Sequence, residues 1–195
     1  MDKPLFSISL DDFMEYEFDY LITKDTITSA ALLEVQAADI AAKAKILAKN
    51  GTILVINKIP NKGQRISALL VGHYGSEKIL CEKLHKAEEV FFKGKEGTDE
   101  TRELFSWDET SIATAFENLG YSVSYTAEEF TEQRYISKQE IDLWFDSDKS
   151  QYGSFLAAKL KQDELSRIKN LLLSLTQKTI QWTTQTAFFV IRDLA

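Results

Sequence analysis

The chain reads as an α/β protein. Three observations predict that class. Phe18–Thr23 and Thr52–Ile56 are short apolar, β-branched runs separated by a helical pattern, all within about 40 residues, which suits a βαβ unit. Amphipathic helical patterns then occupy much of the chain. The last stretch, Thr179 to Arg192, carries Ala187-Phe188-Phe189-Val190-Ile191, apolar on both faces as a strand inside a sheet must be.

Between the first two strands, Ile27, Ala31, Val35, Ala38, Ala42 and Ile46 recur at intervals of three and four, predicting one buried stripe on a long helix. Lys43, Lys45 and Lys49 suit the negative end of its dipole, and Asn50-Gly51 suits a left-handed cap. Thr52–Ile56 should lie parallel to the first strand, buried on both faces, after a right-handed crossover. Beyond Pro60, Ile66, Leu69 and Leu70 predict a short helix, and Ile79, Leu80, Leu84, Ala87, Val90 and Phe91 predict another. Lys93 to Arg102, charged and with two glycines, reads as a surface loop.

Asp108 caps the next helix, with Trp107 and Ile112 as a hydrophobic staple; Ile112, Ala115, Phe116 and Leu119 share a face, and Gly120 ends it. Tyr121, Val123 and Tyr125 alternate with serines as a strand. Ser137-Lys138-Gln139-Glu140 is a capping box flanked by Ile136 and Ile141, opening a helix that carries Trp144 and Phe145. Gly153 separates it from a helical pattern running to Leu160, and Leu165, Ile168, Leu171, Leu172 and Leu175 mark a last helix. The final two strands should pair antiparallel around a helical insertion at about 131–177. No linker divides the chain, so residues 1–195 are expected to form a single domain.

Composition narrows the function. With 195 residues, 44% of them apolar, the chain can bury a core without disulfides or metal. A net charge of −7 argues against a generic nucleic-acid module. Cys81 is the only cysteine and His73 and His85 are the only histidines, so neither an internal disulfide nor a thiolate cluster can form, and no metal site is expected. Met1–Pro4 leads towards Asp11 and Asp12 with no apolar signal core, and no run approaches the ~20 apolar residues of a membrane helix. A cytoplasmic protein without a membrane partner is expected. Phosphate-loop, dinucleotide and nucleophile-elbow motifs are missing. Gly72 and Gly75 around His73-Tyr74 follow a helix rather than a strand, which is the wrong context for a nucleotide loop. The pairs Asp108-Glu109 and Glu128-Glu129 point different ways and read as capping and solubility. Trp107, Trp144 and Trp182 suit staple and core roles better than base stacking. No catalytic residue emerges.

Two candidate sites remain. Open α/β sheets bind ligands at the carboxyl ends of their strands, which here carry Thr23, Lys24 and Asp25 on one side and Asn57 and Lys58 on the other. Lys58, Lys62 and Arg65 concentrate positive charge in an acidic chain, and the insertion adds Arg134 and Trp144. Arg and Trp dominate many interfaces, so Lys62, Arg65, Arg134 and Trp144 form a candidate interaction surface.

The order of elements resembles a known family. Phe18-Asp19-Tyr20-Leu21-Ile22, a helix ending Ala48-Lys49-Asn50-Gly51, and Thr52–Ile56 are similar to strands four and five of class I S-adenosylmethionine-dependent methyltransferases. Asn118-Leu119-Gly120-Tyr121-Ser122-Val123 resembles that family's "leeaGF-x-V" unit, and Thr179–Arg192 its final antiparallel strand. Arg134–Ser137 with Trp144-Phe145 resembles a lid segment. Ile59–Ser67 resembles the "P-x-x-G-Q-R-[IL]" segment of a methyltransferase-like domain fused to RarA/MgsA-type AAA+ ATPases, the replication-associated recombination factors. The family's cofactor half, with its first strand, glycine-rich turn and acidic ribose ligand, has no counterpart here. The resemblance therefore implies the C-terminal half of a Rossmann-like, methyltransferase-like sheet with no cofactor of its own. S-adenosylmethionine or ATP would be bound only by upstream segments. The implied partners are the rest of a longer polypeptide with its ATPase region, another subunit, or DNA through the parent protein. The expected function is a non-catalytic appendage of such an ATPase in replication and recombination repair. The alternative is a fragment of a methyltransferase.

Overall fold

A computed structural model describes residues 17–93 and 105–193. The chain opens with β1 (Phe18–Lys24), α1 (Leu33–Lys43) and β2 (Leu47–Lys58). The helices α2 (Ile66–His73), α3 (Lys78–Lys93) and α4 (Glu109–Glu117) follow, then β3 (Tyr121–Arg134). Next come α5 (Lys138–Trp144), α6 (Gln151–Lys159), α7 (Gln162–Leu173) and β4 (Ile180–Asp193). The loop expected at 93–102 lies almost wholly outside the described residues.

The four strands form one mixed sheet in the order β1-β2-β4-β3. β1 and β2 are parallel, with Leu21 opposite Ile53 and Thr23 opposite Val55. β4 runs antiparallel to β2, with Leu54 opposite Val190. On the other side of β4, the Tyr125 and Phe189 rings are 5.5 Å apart and the Thr131 and Thr183 hydroxyls 3.3 Å apart. The residue numbers move in opposite directions between these two pairs, so β3 and β4 are antiparallel, as expected.

The first helix departs from expectation. It begins at Leu33 and buries Leu33, Ala37 and Ile40, while Val35 is 65% exposed. Both stripes satisfy a helical period. The choice falls to the turn before the helix, where Gln36 Oε1 accepts from Thr28 N (3.0 Å) and Ser29 Oγ accepts from Leu32 N (3.3 Å). At its other end, residues 47–51 join β2. Phe18 pairs with Leu47 but Tyr20 with Thr52, so β2 carries a bulge, and Asn50 (φ 74°) turns that bulge instead of capping a helix. Gly120 (φ 89°) does end α4 as expected. Gly153 lies inside α6 rather than before it, at a point where a Cβ would sit 2.7 Å from the Asp146 carbonyl oxygen.

The described residues pack into two compact units. The first comprises residues up to Ile59, Trp107–Glu128 and residues from Thr186. Its core joins Leu21, Ile53, Val55 and Phe189 of the sheet to Ala37 and Ile40 of α1 and Ile112 and Phe116 of α4. Strand alternation puts the remaining side chains on the opposite sheet face: Tyr20 and Ile22, 62% and 59% exposed, and the half-buried Leu54, Ile56 and Val190.

The second unit comprises Pro60–Ser106 and Glu129–Gln185, without the undescribed residues. Its core is a helical cluster that includes Leu70, Leu84, Ile141, Leu156, Ile168 and Leu172. The Ser137–Glu140 capping box is present, with Glu140 N donating to Ser137 Oγ (3.1 Å) and Ser137 N to Glu140 Oε2 (2.8 Å).

Candidate ligand site

The carboxyl ends of β1 and β2 do come together in the first unit. Asn57 is 1% exposed, and its side chain clasps the backbone of Ile27: Oδ1 accepts from Ile27 N and Nδ2 donates to Ile27 O, both at 3.0 Å. Nδ2 also donates to Lys58 O at 3.0 Å. Asp25 (φ 51°) continues the ladder through its N–H to Ile56 O (2.8 Å), and its Oδ1 accepts from Lys58 N (3.0 Å). Thr26 Oγ1 donates to Thr23 Oγ1 at 3.2 Å. Asp25 and Asn57 thus spend these hydrogen bonds joining two strand ends, Thr23 bonds within its own strand exit, and Lys24 and Lys58 are exposed.

The segment after β2 is also tied internally in the second unit. Gln64 pairs with Thr183 through its backbone N–H (2.9 Å) and accepts from Thr183 N through Oε1 (3.3 Å). Arg65 Nη1 donates to Pro60 O (3.2 Å) and Gly63 O (3.3 Å), Nη2 donates to Asn61 O, and the guanidinium carbon lies 3.7 Å from the centroid of Phe92. Burial pulls the Arg65 pKa down, with Glu88 and Glu89 opposing. Lys62 is exposed. Arg134 and Trp144 meet through Trp182. Arg134 pairs with Glu140 and places its guanidinium 5.0 Å from the Trp182 ring, and Trp182 stacks on Trp144 at 5.7 Å and 26°.

The most developed polar centre lies outside both candidate sites. Glu88, 1% exposed, lies on the stripe Cys81, Leu84, Glu88, Phe91 of α3. Its Oε1 accepts from Ile66 N (2.8 Å) and from the Tyr152 hydroxyl (2.8 Å), and its Oε2 accepts from Ser67 N (3.1 Å). It therefore caps α2, whose first two residues are Ile66 and Ser67. A carboxylate at heptad-like spacing among apolar residues was a visible signal, but its partners lie 21 to 64 residues away. Beside it opens a cleft of about 240 Å³, lined by Glu88, Phe92, Phe105, Trp144, Tyr152 and Trp182 among others. Burial pushes the Tyr152 phenol well above its ordinary pKa, and Glu88 adds to the shift.

That shift sets a pH dependence. The unfolded phenol ionises near about pH 10, while the folded one resists. The ionisation of Tyr152 should leave folding stability unchanged below that pH and lower it as pH rises above it. In a comparison of urea midpoints across the alkaline range, Tyr152→Phe should remove this part of the decline. Identical alkaline slopes for wild type and variant would contradict the burial of that hydroxyl.

Among the described residues, no group of three or more His, Cys, Asp or Glu could hold a metal ion, and no helix is long and apolar enough to cross a membrane.

No family model matches the chain, and no curated protein matches it. Solved structures that align with it include a protein from Bacillus halodurans named as a candidate methyltransferase (9% identity, 92% of this chain and 66% of that one, TM-score 0.39). A second is a cyclopropane-fatty-acyl-phospholipid synthase-like protein from Lactobacillus casei (13% identity, 92% and 58%, TM-score 0.37). A third is phospholethanolamine N-methyltransferase 2 of Haemonchus contortus, in complex with phosphomonomethylethanolamine and S-adenosylhomocysteine (11% identity, 91% and 34%, TM-score 0.32). The chain spans from 34% to 66% of the length of these proteins.

Proposed function

We propose that this chain supplies the C-terminal half of an S-adenosylmethionine-dependent methyltransferase fold, completed by a cofactor-binding half from other polypeptide. The observation that carries the reading is the one-sided sheet of the first unit. Parallel strands normally have helices on both faces. Here α1 and α4 cover one face, while Tyr20 and Ile22 stand exposed on the other and β1 is an edge strand. An apolar face beside an open parallel edge suits a further parallel strand with its own helical layer. The order β1-β2-β4-β3, with antiparallel β4 next to β2, agrees with the element order that carried the resemblance.

The same chain as an appendage of a replication-associated ATPase has its support in the segment Ile59–Ser67. In the fold, Gln64 and Arg65 of that segment make hydrogen bonds within their own unit, so we favour the methyltransferase reading.

Calorimetric titration with S-adenosylmethionine tests the proposal. The 195 residues alone should show no micromolar binding, and the product of the complete reading frame should bind. Micromolar binding by the chain alone, or none by the complete product, would overturn it. A phosphate loop of the ATPase type upstream would favour the appendage.

A further inference from the structure

We infer that the aromatic cleft of the second unit is a binding site for a small, flat, uncharged aromatic molecule with an N–H or O–H donor directed at Glu88. Its walls all belong to that unit, so the inference stands apart from the methyltransferase reading. Three features of the cleft favour such a ligand, of which the first is size. A cleft of about 240 Å³ exceeds the ~150 Å³ apolar cavity that admits benzene, and so suits one or two fused rings.

The second is the lining. Phe92, Phe105, Trp144 and Trp182 line it with aromatic carbon, which favours a planar apolar body. Glu88 is the charged residue among those walls, and an ionised carboxylate offers roughly four lone-pair positions. Its three bonds, from Ile66 N, Ser67 N and the Tyr152 hydroxyl, leave acceptor capacity for one more donor.

The third is charge. Aromatic walls with a carboxylate would also suit a quaternary ammonium ion. Here, however, Arg65 lies over Phe92 and Arg134 over Trp182, so two of the lining rings already carry a cation. A third positive charge would meet both guanidiniums, whereas a neutral ring gains the stacking without that repulsion.

The experiment titrates the intact chain with indole, 1-methylindole and tetramethylammonium and follows amide and indole N–H resonances by NMR. Indole should give saturable shifts at Trp144 and Trp182. 1-Methylindole, which keeps the ring and loses the donor, should bind about tenfold more weakly. Tetramethylammonium should not saturate. Phe105→Trp, which fills the cleft from its wall, should abolish the indole shifts. Tyr152→Phe, which keeps the ring and frees a lone pair on Glu88, should bind indole at least as well as wild type. The inference is overturned if indole gives no saturable shift, if 1-methylindole binds as tightly as indole, if tetramethylammonium competes, or if a folded Phe105→Trp protein binds indole unchanged.

Discussion

Replacing Glu88 by alanine is expected to destabilise the protein by about 3–5 kcal/mol, the largest effect of any single polar substitution predicted for this chain. The removed carboxylate leaves two backbone donors at the start of α2, Ile66 N and Ser67 N, without their acceptor. It also strands the Tyr152 hydroxyl and takes away a negative charge that favours the half-buried Arg65 guanidinium. Leaving buried donors unpaired costs more than forming the bonds gained, which is why these losses accumulate. Urea denaturation with an unchanged m-value would measure the effect, and a fall in Tm of roughly 6–12 °C should accompany a 3 kcal/mol loss in a chain of this size. Glu82→Ala, at an exposed position of the same helix, is the control and should stay within about 0.5 kcal/mol. A loss under about 1 kcal/mol for Glu88→Ala would mean that water or a neighbouring side chain replaces the carboxylate.

Asn57→Ala should cost about 2–4 kcal/mol. Both backbone groups of buried Ile27 depend on the Asn57 amide, one as donor to Oδ1 and the other as acceptor from Nδ2. Asn57→Asp separates these roles. A carboxylate can still accept from Ile27 N, but it turns an acceptor towards the carbonyl oxygens of Ile27 and Lys58. That variant should therefore be destabilised at neutral pH and partly recover, relative to wild type, when the carboxyl is protonated. Equal stability of Asn57→Ala and wild type would mean that the two strand ends do not rely on the clasp. Hydrogen exchange at Ile27 N–H offers a local readout, with faster exchange expected in both variants.

Much of the architecture is legible in the sequence. The apolar runs at Phe18–Thr23 and Thr52–Ile56 locate the parallel pair because central strands must be apolar on both faces. Asp108 with its staple, the Ser137–Glu140 box and Gly120 mark their helix ends because these devices act within a few residues. The α1 face is not legible in the sequence because 27-31-35-38-42-46 and 33-37-40 satisfy the same period. The hydrogen bonds of Thr28, Ser29 and Gln36 that choose between them belong to a turn without a standard sequence pattern. Asn50-Gly51 is ambiguous for a related reason: a residue pair that tolerates left-handed backbone serves a bulge as well as a helix cap.

The candidate residues divide in the same way. By itself, the sequence determined the α/β class, the parallel β1–β2 pair, the antiparallel ending and the chemistry available in each segment, because periodicity and capping are local properties. Only the tertiary structure decided what that chemistry is used for. Arg65 stood out as a surface cation, yet in the fold it holds three carbonyls of its own loop and covers Phe92. Asn57 stood out as a strand-end polar group, yet it is buried against Ile27. Glu88 did not stand out at all, because the Ile66, Ser67 and Tyr152 groups that give a buried carboxylate its meaning are brought to it only when α2 and α6 pack around α3. Burial and long-range pairing, which set the energy of a polar group, are properties of the folded chain and not of any stretch of its sequence.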